Sequence, residues 1–301
     1  MHAEKVPSSR MPQPPHDISR TVVVAVAPDG SEAALRQAAT LAVRENATLH
    51  VVHVVDLTAG GGIRERLFAT EASQAAESVL SEAVAYARSL VGETVQVSSE
   101  LAHGDVVERI VAASAAAGVV ILQQPPRPDL RSRGTEVCPQ VAARAPVPVL
   151  CVPWVWNGAR GVGTVTVGID DPLTCGALVR EALAAATSLG ARLRLVHAES
   201  VDGDEDARRL ILDVLADVDG DVSVVEASVD VVQGLAARVL REASRTSELL
   251  VVGRHHPHRP GGSSLGPVAR SVVRRASCPV LLPTPAHSVS SAEWVFQSRW
   301  A

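Results

Sequence analysis

The chain has 301 residues, of which 47% are hydrophobic and 20% charged, and its formal net charge is −5. This composition is typical of a globular protein with about two domains. The slightly acidic balance argues against non-specific binding to nucleic acid or to a membrane surface.

Strands and helices alternate along the first half of the chain. A proline-rich start, residues 1–19, predicts a disordered tail. A turn at 28–31 ends in Ser31, which is suited to begin the following helix. The strand–helix alternation predicts right-handed crossovers and a parallel sheet covered on both faces. The predicted strands are 21–26, 49–55, 95–101 and 119–122, and the predicted helices are 32–45, about 64–90 and 104–116.

The same order of elements returns in the second half. The offsets between matching segments drift only where loops differ in length. The chain is therefore a predicted tandem of two domains, 20–153 and 162–283, joined by a linker at 154–161 and followed by a tail at 284–301. The matching segments are 21–26 with 164–169 (164 − 21 = 143), 47–53 with 191–197 (191 − 47 = 144), 119–122 with 249–252 (249 − 119 = 130), and 148–150 with 279–281 (279 − 148 = 131).

A glycine-rich loop stands out near the end of the second repeat. The apolar run 249–252 predicts a buried strand that ends at Gly253, and apolar spacing predicts a helix over 268–275. Glycines between a strand end and a helix start expose backbone amides that can cradle a phosphate. They are also ordinary turn-formers, so the pattern alone leaves both interpretations open. The loop residues are Gly261, Gly262, Ser263, Ser264 and Gly266.

This stretch resembles the C-terminal signature of the universal stress protein family. The family pattern is Gly-x2-Gly-x9-Gly followed by Ser or Thr, a helix and a Cys-Pro-Val strand. Gly253 and Gly266 fit its first and third glycines, and 276–280 fits its ending. His256 replaces the second glycine and Pro267 replaces the Ser or Thr.

The resemblance implies an α/β fold with two doubly wound domains. Each would be Rossmann-like, of the adenine nucleotide alpha hydrolase type, with a mainly parallel five-stranded sheet. The last strands, near 147–152 and 280–282, would pair antiparallel across the two domains. In the family, an Asp at the end of the first strand contacts adenine, and Asp170 fits that position. The implied binding residues are Asp170, Val196, Gly253, Arg254, His256, Gly262, Ser263, Ser264 and Gly266.

Histidines in the second repeat leave further alternatives open. The basic residues of 254–259 could hold an anion through side chains, or could form a solvated loop. Three of them, His255, His256 and His258, could in principle bind a metal, but adjacent histidines point apart, so we predict no metal beyond the magnesium that accompanies a nucleotide. His53 and His197 match in the two repeats, which favours a core role over ligand contact.

The first repeat departs from the family pattern at several places. Ala27 stands where Asp170 stands in the second repeat, and Asp29-Gly30-Ser31 is displaced by two residues. Gln123 stands opposite Gly253, and the prolines that follow it cannot donate backbone hydrogen bonds. We therefore predict ATP binding in the second domain and a degenerate site in the first.

The predicted function is that of a non-catalytic stress-response module. The chain lacks the G-x-x-x-x-G-K-[ST] pattern and shows no catalytic constellation. A ligand-free scaffold that recruits a protein partner is the alternative, and a slow ATPase is a weaker one. We expect a homodimer that binds neither nucleic acid nor membrane.

The remaining expectations concern location and surface. No signal peptide or apolar run of about 18 residues is visible, and four cysteines without C-x-x-C spacing fit a reducing cytoplasm. Five of the seven aromatic residues lie in the linker or tail, where they either cover a core edge or meet a partner. They are Trp154, Trp156, Trp294, Phe296 and Trp300.

Overall fold

The computed structural model describes residues 20–56, 63–125, 134–158, 163–199, 205–218, 225–254 and 265–284. The strands are β1 (Thr21–Val26), β2 (Thr48–Val55), β3 (Val97–His103), β4 (Val119–Gln123), β5 (Val149–Val152), β6 (Thr164–Ile169), β7 (Arg192–Glu199), β8 (Ala227–Gln233), β9 (Leu249–Val252) and β10 (Val280–Leu282). The helices are α1 (Glu32–Arg44), α2 (Ile63–Val91), α3 (Val106–Ser114), α4 (Gly134–Arg144), α5 (Gly176–Leu189), α6 (Glu205–Asp217), α7 (Ala236–Ala243) and α8 (Pro267–Arg275).

All ten strands form one sheet, in the order β3-β2-β1-β4-β5-β10-β9-β6-β7-β8. The strands of each half pair in parallel, whereas β5 and β10 pair antiparallel, with Leu150 opposite Leu281. The two halves therefore have the same strand order, read outward from the β5–β10 seam. This confirms the predicted α/β fold and the predicted pairing of the last strands.

Burial on both faces explains why the central strands read as continuous apolar runs. Every residue of β5 and β9 is buried. In the first half, α1 and α2 contact each other on one face of the sheet, and α3 and α4 contact each other on the other. None of the described helices is long and apolar enough to cross a membrane.

The linker packs against the junction of the two halves. Trp156 is 3% exposed, and its carbonyl accepts a hydrogen bond of 3.0 Å from Arg36 Nη2 on α1. Leu150 and Leu281 line a small cavity with it. Trp156 therefore covers the core, as the first of the two interpretations predicts. The tail aromatics Trp294, Phe296 and Trp300 lie outside the described residues.

One predicted strand is displaced by two residues. The third strand runs from Val97 to His103 rather than over 95–101, because its pairing with β2 begins where Leu49 meets Val97. Val95 is nevertheless buried. Its apolar side chain belongs to the turn before the strand, which the alternating pattern alone does not separate from it.

Candidate functional site

Strand register gathers part of the predicted second-domain site at one edge of the sheet. Gly168 pairs with Val196 on β7 and with Val252 on β9. Asp170 follows the end of β6 and Gly253 follows the end of β9, so both lie at the carboxyl edge beside these pairs. Such an edge is where open α/β sheets bind ligands. Asp170 is exposed and Val196 is buried.

The turn after Asp170 is held by its neighbour. Asp171 accepts a hydrogen bond of 2.9 Å from the Leu173 amide and one of 3.2 Å from the Thr174 hydroxyl. Asp171-Pro172 replaces the glycine and serine of the family pattern, yet a closed turn still leads into α5. Asp170 therefore stays at the end of the strand instead of forming the turn.

The amino end of α8 supplies backbone donors at the same edge. Gly266 is its N-cap, makes no side-chain capping bond, and donates its own amide to the Arg254 carbonyl over 2.9 Å. Pro267 has no N–H, and the first intrahelical bond runs from Arg270 to the Gly266 carbonyl. The amides of Val268 and Ala269 lie between them and belong to the unpaired first turn of a helix, which attracts anions.

Arg254 is not available to a ligand, which corrects its place in the predicted set. It is 4% exposed, and its guanidinium donates to the carbonyls of Ala145, Val147 and Leu282. Burial lowers the pKa of Arg254 to about 10, which leaves it protonated at neutral pH. Its positive charge therefore interacts with three carbonyls at the junction between the halves and not with an anion in the candidate site.

The rest of the predicted loop cannot be placed. His256, Gly262, Ser263 and Ser264 lie outside the described residues, so their contribution stays a prediction. Among the residues that the structure describes, no group of three or more His, Cys, Asp or Glu side chains could hold a metal ion.

The matched histidines take the structural role that the repeat predicts. His53 Nδ1 donates to the Val26 carbonyl over 2.8 Å, and His197 Nδ1 donates to the Ile169 carbonyl over 3.0 Å. Each ring therefore ties the second strand of its domain to the end of the first. Because both domains make this hydrogen bond, it belongs to the shared fold and does not depend on whether a domain keeps a binding site.

Gln123 stands where Gly253 stands in the other repeat, and its side chain contacts the start of α1. Its Oε1 accepts hydrogen bonds from the amides of Ala33 and Ala34 over 2.8 Å and 3.1 Å, and its Nε2 donates to the Gly30 carbonyl over 3.1 Å. The first turn of α1 is thus capped by a side chain from β4. These amides cannot serve a phosphate while Gln123 holds them.

The first domain nevertheless contains a cavity of about 610 Å³. It opens at the carboxyl ends of β1, β2 and β4, and α3 and α4 form its other wall. The residue pattern of the first repeat does not predict this space. The wall includes Cys138, whose thiol donates to the Gln123 carbonyl over 3.4 Å.

Cys151 on β5, which is hydrogen-bonded to Cys138, is not set up as a nucleophile. A hydrogen bond with Cys138 and burial raise the pKa of the Cys151 thiol well above its ordinary value. A thiol with a raised pKa stays protonated and unreactive at neutral pH. All four cysteines of the chain are buried, and none of them forms a disulfide.

Comparison with known proteins decides the family. A model of the universal stress protein family matches residues 19–153 and, a second time, residues 161–282. The chain belongs to the universal stress protein family. The two matches agree with the internal repeat and confirm a tandem member of the family. No curated protein matches the chain.

Solved structures that match most of this chain support the fold. A universal stress protein from Archaeoglobus fulgidus DSM 4304 is 19% identical, covers 88% of this chain and 98% of its own, and has a TM-score of 0.62. A functionally unknown protein from Pseudomonas aeruginosa PAO1 is 18% identical, covers 93% of this chain and 98% of its own, and has a TM-score of 0.59. At these identities the likeness concerns the tandem fold alone.

The residue most clearly missed from the sequence is Gln124. It lines the first-domain cavity, and it matches Arg254 in the repeat (254 − 124 = 130). The same offset that pairs Gln123 with Gly253 pairs these two residues. The sequence therefore contained a signal, because Gln124 matches Arg254 and Arg254 directly follows the candidate site residue Gly253.

Proposed function

We propose that this universal stress protein senses an adenine nucleotide in its second domain and acts without catalysing a reaction. The observation that carries the proposal is the register around Gly168, which places Asp170, Val196 and Gly253 at one carboxyl edge, with the uncapped start of α8 beside them. The family resemblance assigns the base end of a nucleotide to the first two of these residues.

The base end has the chemistry that adenine requires. A carboxylate such as Asp170 accepts hydrogen bonds from an exocyclic amine, and the Val196 backbone lies on the strand next to it. Asp170 is exposed to solvent at the strand end, where a ligand can reach it. These two residues would orient the base against the carboxyl edge of the sheet.

The anion end would depend on backbone groups. Gly253 presents no side chain, and the first turn of α8 offers the amides of Val268 and Ala269 next to the positive end of the helix dipole. The arrangement offers fewer donors than the full family pattern, because Pro267 replaces a hydroxyl residue. Arg254 does not make up for this loss, since its guanidinium is bound to backbone carbonyls. We therefore expect weaker binding of the triphosphate than a complete pattern would give.

Three further proposals concern other molecules or the location of the protein. A homodimer and a protein partner recruited by the tail stay predictions, as does a cytoplasmic location. Within one chain, β5 and β10 already occupy each other's edges. A second copy would have to use a different surface.

Calorimetric titration of the full chain with ATP tests the nucleotide proposal. We expect one saturable site per chain, weakened about tenfold or more by Asp170→Ala, which is about 1.4 kcal/mol. Asp29→Ala is the matched control, since Asp29 belongs to the displaced motif of the first domain, and it should leave the affinity unchanged.

Two outcomes would reject the proposal in different ways. A lack of saturable heat at millimolar ATP would favour the ligand-free scaffold. Release of phosphate that disappears in Asp170→Ala would favour the slow ATPase, since a sensor binds the nucleotide without hydrolysing it.

A further inference from the structure

The first-domain cavity is large enough to enclose a small organic molecule. Its volume of about 610 Å³ lies within the range of roughly 300–1,000 Å³ that is common for ligand sites. Its inner wall is apolar and includes Val26, Val52, Leu122 and Ile110. Such a wall would contact the body of a ligand, while polar groups at its edge would select the ligand's charge.

An unpartnered amide lies among the lining residues. Gln124 is 7% exposed, and its Nε2 has no hydrogen-bond partner among the residues that the structure describes. A buried donor without an acceptor is costly to stability, and a ligand acceptor in the cavity would satisfy it. The equivalent residue of the second domain, Arg254, reaches the carbonyls of Ala145, Val147 and Leu282, whereas the Nε2 of the shorter Gln124 side chain reaches none within the described part of the chain.

The charged groups along the cavity are carboxylates. Asp29, Asp56, Asp105 and Glu136 line it, and none of the described lining residues is Lys or Arg. One oxygen of Asp105 caps α3 by accepting from the Glu108 amide over 2.9 Å, and Glu136 pairs with Arg274. The exposed Asp29 carboxylate and the second Asp105 oxygen retain negative charge that would repel a phosphate and attract a cation.

The second domain differs at one position of this edge. Leu235 occupies the position equivalent to Asp105 (235 − 105 = 130) and is 79% exposed. The two repeats therefore differ in charge at the same structural position. At this position the first domain carries a carboxylate that would attract a cation, and the second domain carries none.

His53 adds an acceptor to the cavity wall. Its Nδ1 faces the Val26 carbonyl, which can only accept, so the proton lies on Nδ1 and Nε2 of the neutral ring keeps its lone pair. A ligand with a donor would complement it. The second-domain counterpart differs here as well, since Glu199 Oε1 lies 3.7 Å from His197 Nε2.

We propose that the first domain binds a small organic cation in this cavity. The apolar body of the cation contacts the valine-rich wall, its charged nitrogen faces Asp29 and Asp105, and an acceptor on it receives the Gln124 amide. This site is separate from the proposed nucleotide site. Its ligand is of opposite charge.

A pair of small molecules of opposite charge tests the proposal. Tyramine carries a phenol and a protonated amine, and 3-(4-hydroxyphenyl)propionate carries the same ring on a carboxylate. In calorimetric titrations of the full chain, we expect saturable binding of tyramine and binding of the carboxylate at least about tenfold weaker. Equal affinities, tighter binding of the carboxylate, or no saturable binding of tyramine at about 10 mM would overturn the proposal.

Variants locate the binding. Asp29→Asn with Asp105→Asn removes two charges, and asparagine keeps the cap of α3, so tyramine should bind about fivefold more weakly. Asp213→Asn, on the exposed side of α6, is the control and should change nothing. An unchanged tyramine affinity in the double variant would contradict the assigned charges.

Gln124→Leu separates a ligand-binding role from a structural one. Leucine removes the unpartnered amide, so thermal stability should stay the same or rise while tyramine binding weakens. Loss of stability together with unchanged tyramine binding would show that Gln124 serves the fold only.

The last test asks whether ATP competes for the first-domain cavity. It is needed because residues 126–133, which follow the lining residue Pro125, contain three positively charged arginines and lie outside the described part of the chain. In the Asp170→Ala variant, ATP should not displace tyramine. Displacement there would show that the first-domain cavity accepts nucleotides and would overturn the proposal.

Discussion

Gln123 shows how one side chain can close a helix start that a glycine would leave open. Its side-chain oxygen accepts hydrogen bonds from the amides of Ala33 and Ala34, which are both buried. We expect Gln123→Ala to lower the free energy of unfolding by about 1–3 kcal/mol, because buried donors would lose their acceptor. Urea denaturation followed by circular dichroism measures this change.

The control for that experiment is Gln96→Ala, since Gln96 is exposed and its side chain should contribute within about 0.5 kcal/mol. A Gln123→Ala protein as stable as the control would mean that water caps α1 equally well.

The sequence identified these residues without revealing what they do. The repeat offset placed Gln123 opposite Gly253 and Arg254 in a basic run, but an offset does not show which way a side chain points. Gln123 turns to α1 and Arg254 to the opposite half of the chain. Both directions depend on which unpaired backbone groups lie nearby, and those are known only after the chain has folded.

At the scale of elements, the close approach of α7 to β6 depends on Gly168. A Cβ built there would lie 2.8 Å from Leu240 Cδ1. Leu240 is buried, so it has little room to move. We expect Gly168→Ala to lower the free energy of unfolding by about 1–3 kcal/mol through overpacking, and thermal denaturation can measure it.

A double variant distinguishes this contact from a general loss of order. Leu240→Ala makes room for the new methyl group, so the two changes together should destabilise less than the sum of the single changes. Gly176→Ala is the control, because its Cβ would meet Val214 at an ordinary 3.9 Å. Additive effects at Gly168 and Leu240 would contradict the proposed clash.

Most elements could be predicted from the sequence because their signals are local. Buried parallel strands give unbroken apolar runs, and the helices between them follow from the spacing of alanine and leucine. The cavity could not be predicted in this way. Its volume depends on how far α3 and α4 stand from the sheet, which results from packing among residues distant in sequence.

At the scale of the whole molecule, the two domains share one structure. The β5–β10 seam joins their sheets, Trp156 is buried at the junction, and Arg254 of the second half binds carbonyls of the first. Duplication explains the matching halves, and the seam explains why neither sheet leaves its last strand as an open edge. Unfolding either half would therefore expose buried surface of the other.

This coupling predicts that the chain unfolds in a single transition. In urea, tryptophan fluorescence, to which the buried Trp156 of the junction contributes, and far-ultraviolet circular dichroism, which reports on the whole chain, should give coincident curves. Arg254→Met should lower the midpoint and separate the curves, because three buried carbonyls lose a charged donor worth about 1.5–3 kcal/mol per bond. Arg245→Met, whose side chain is 65% exposed, should leave both curves unchanged. Two transitions in the natural chain, or an Arg254→Met chain as stable as the Arg245→Met control, would show that the halves fold independently and that Arg254 does not join them.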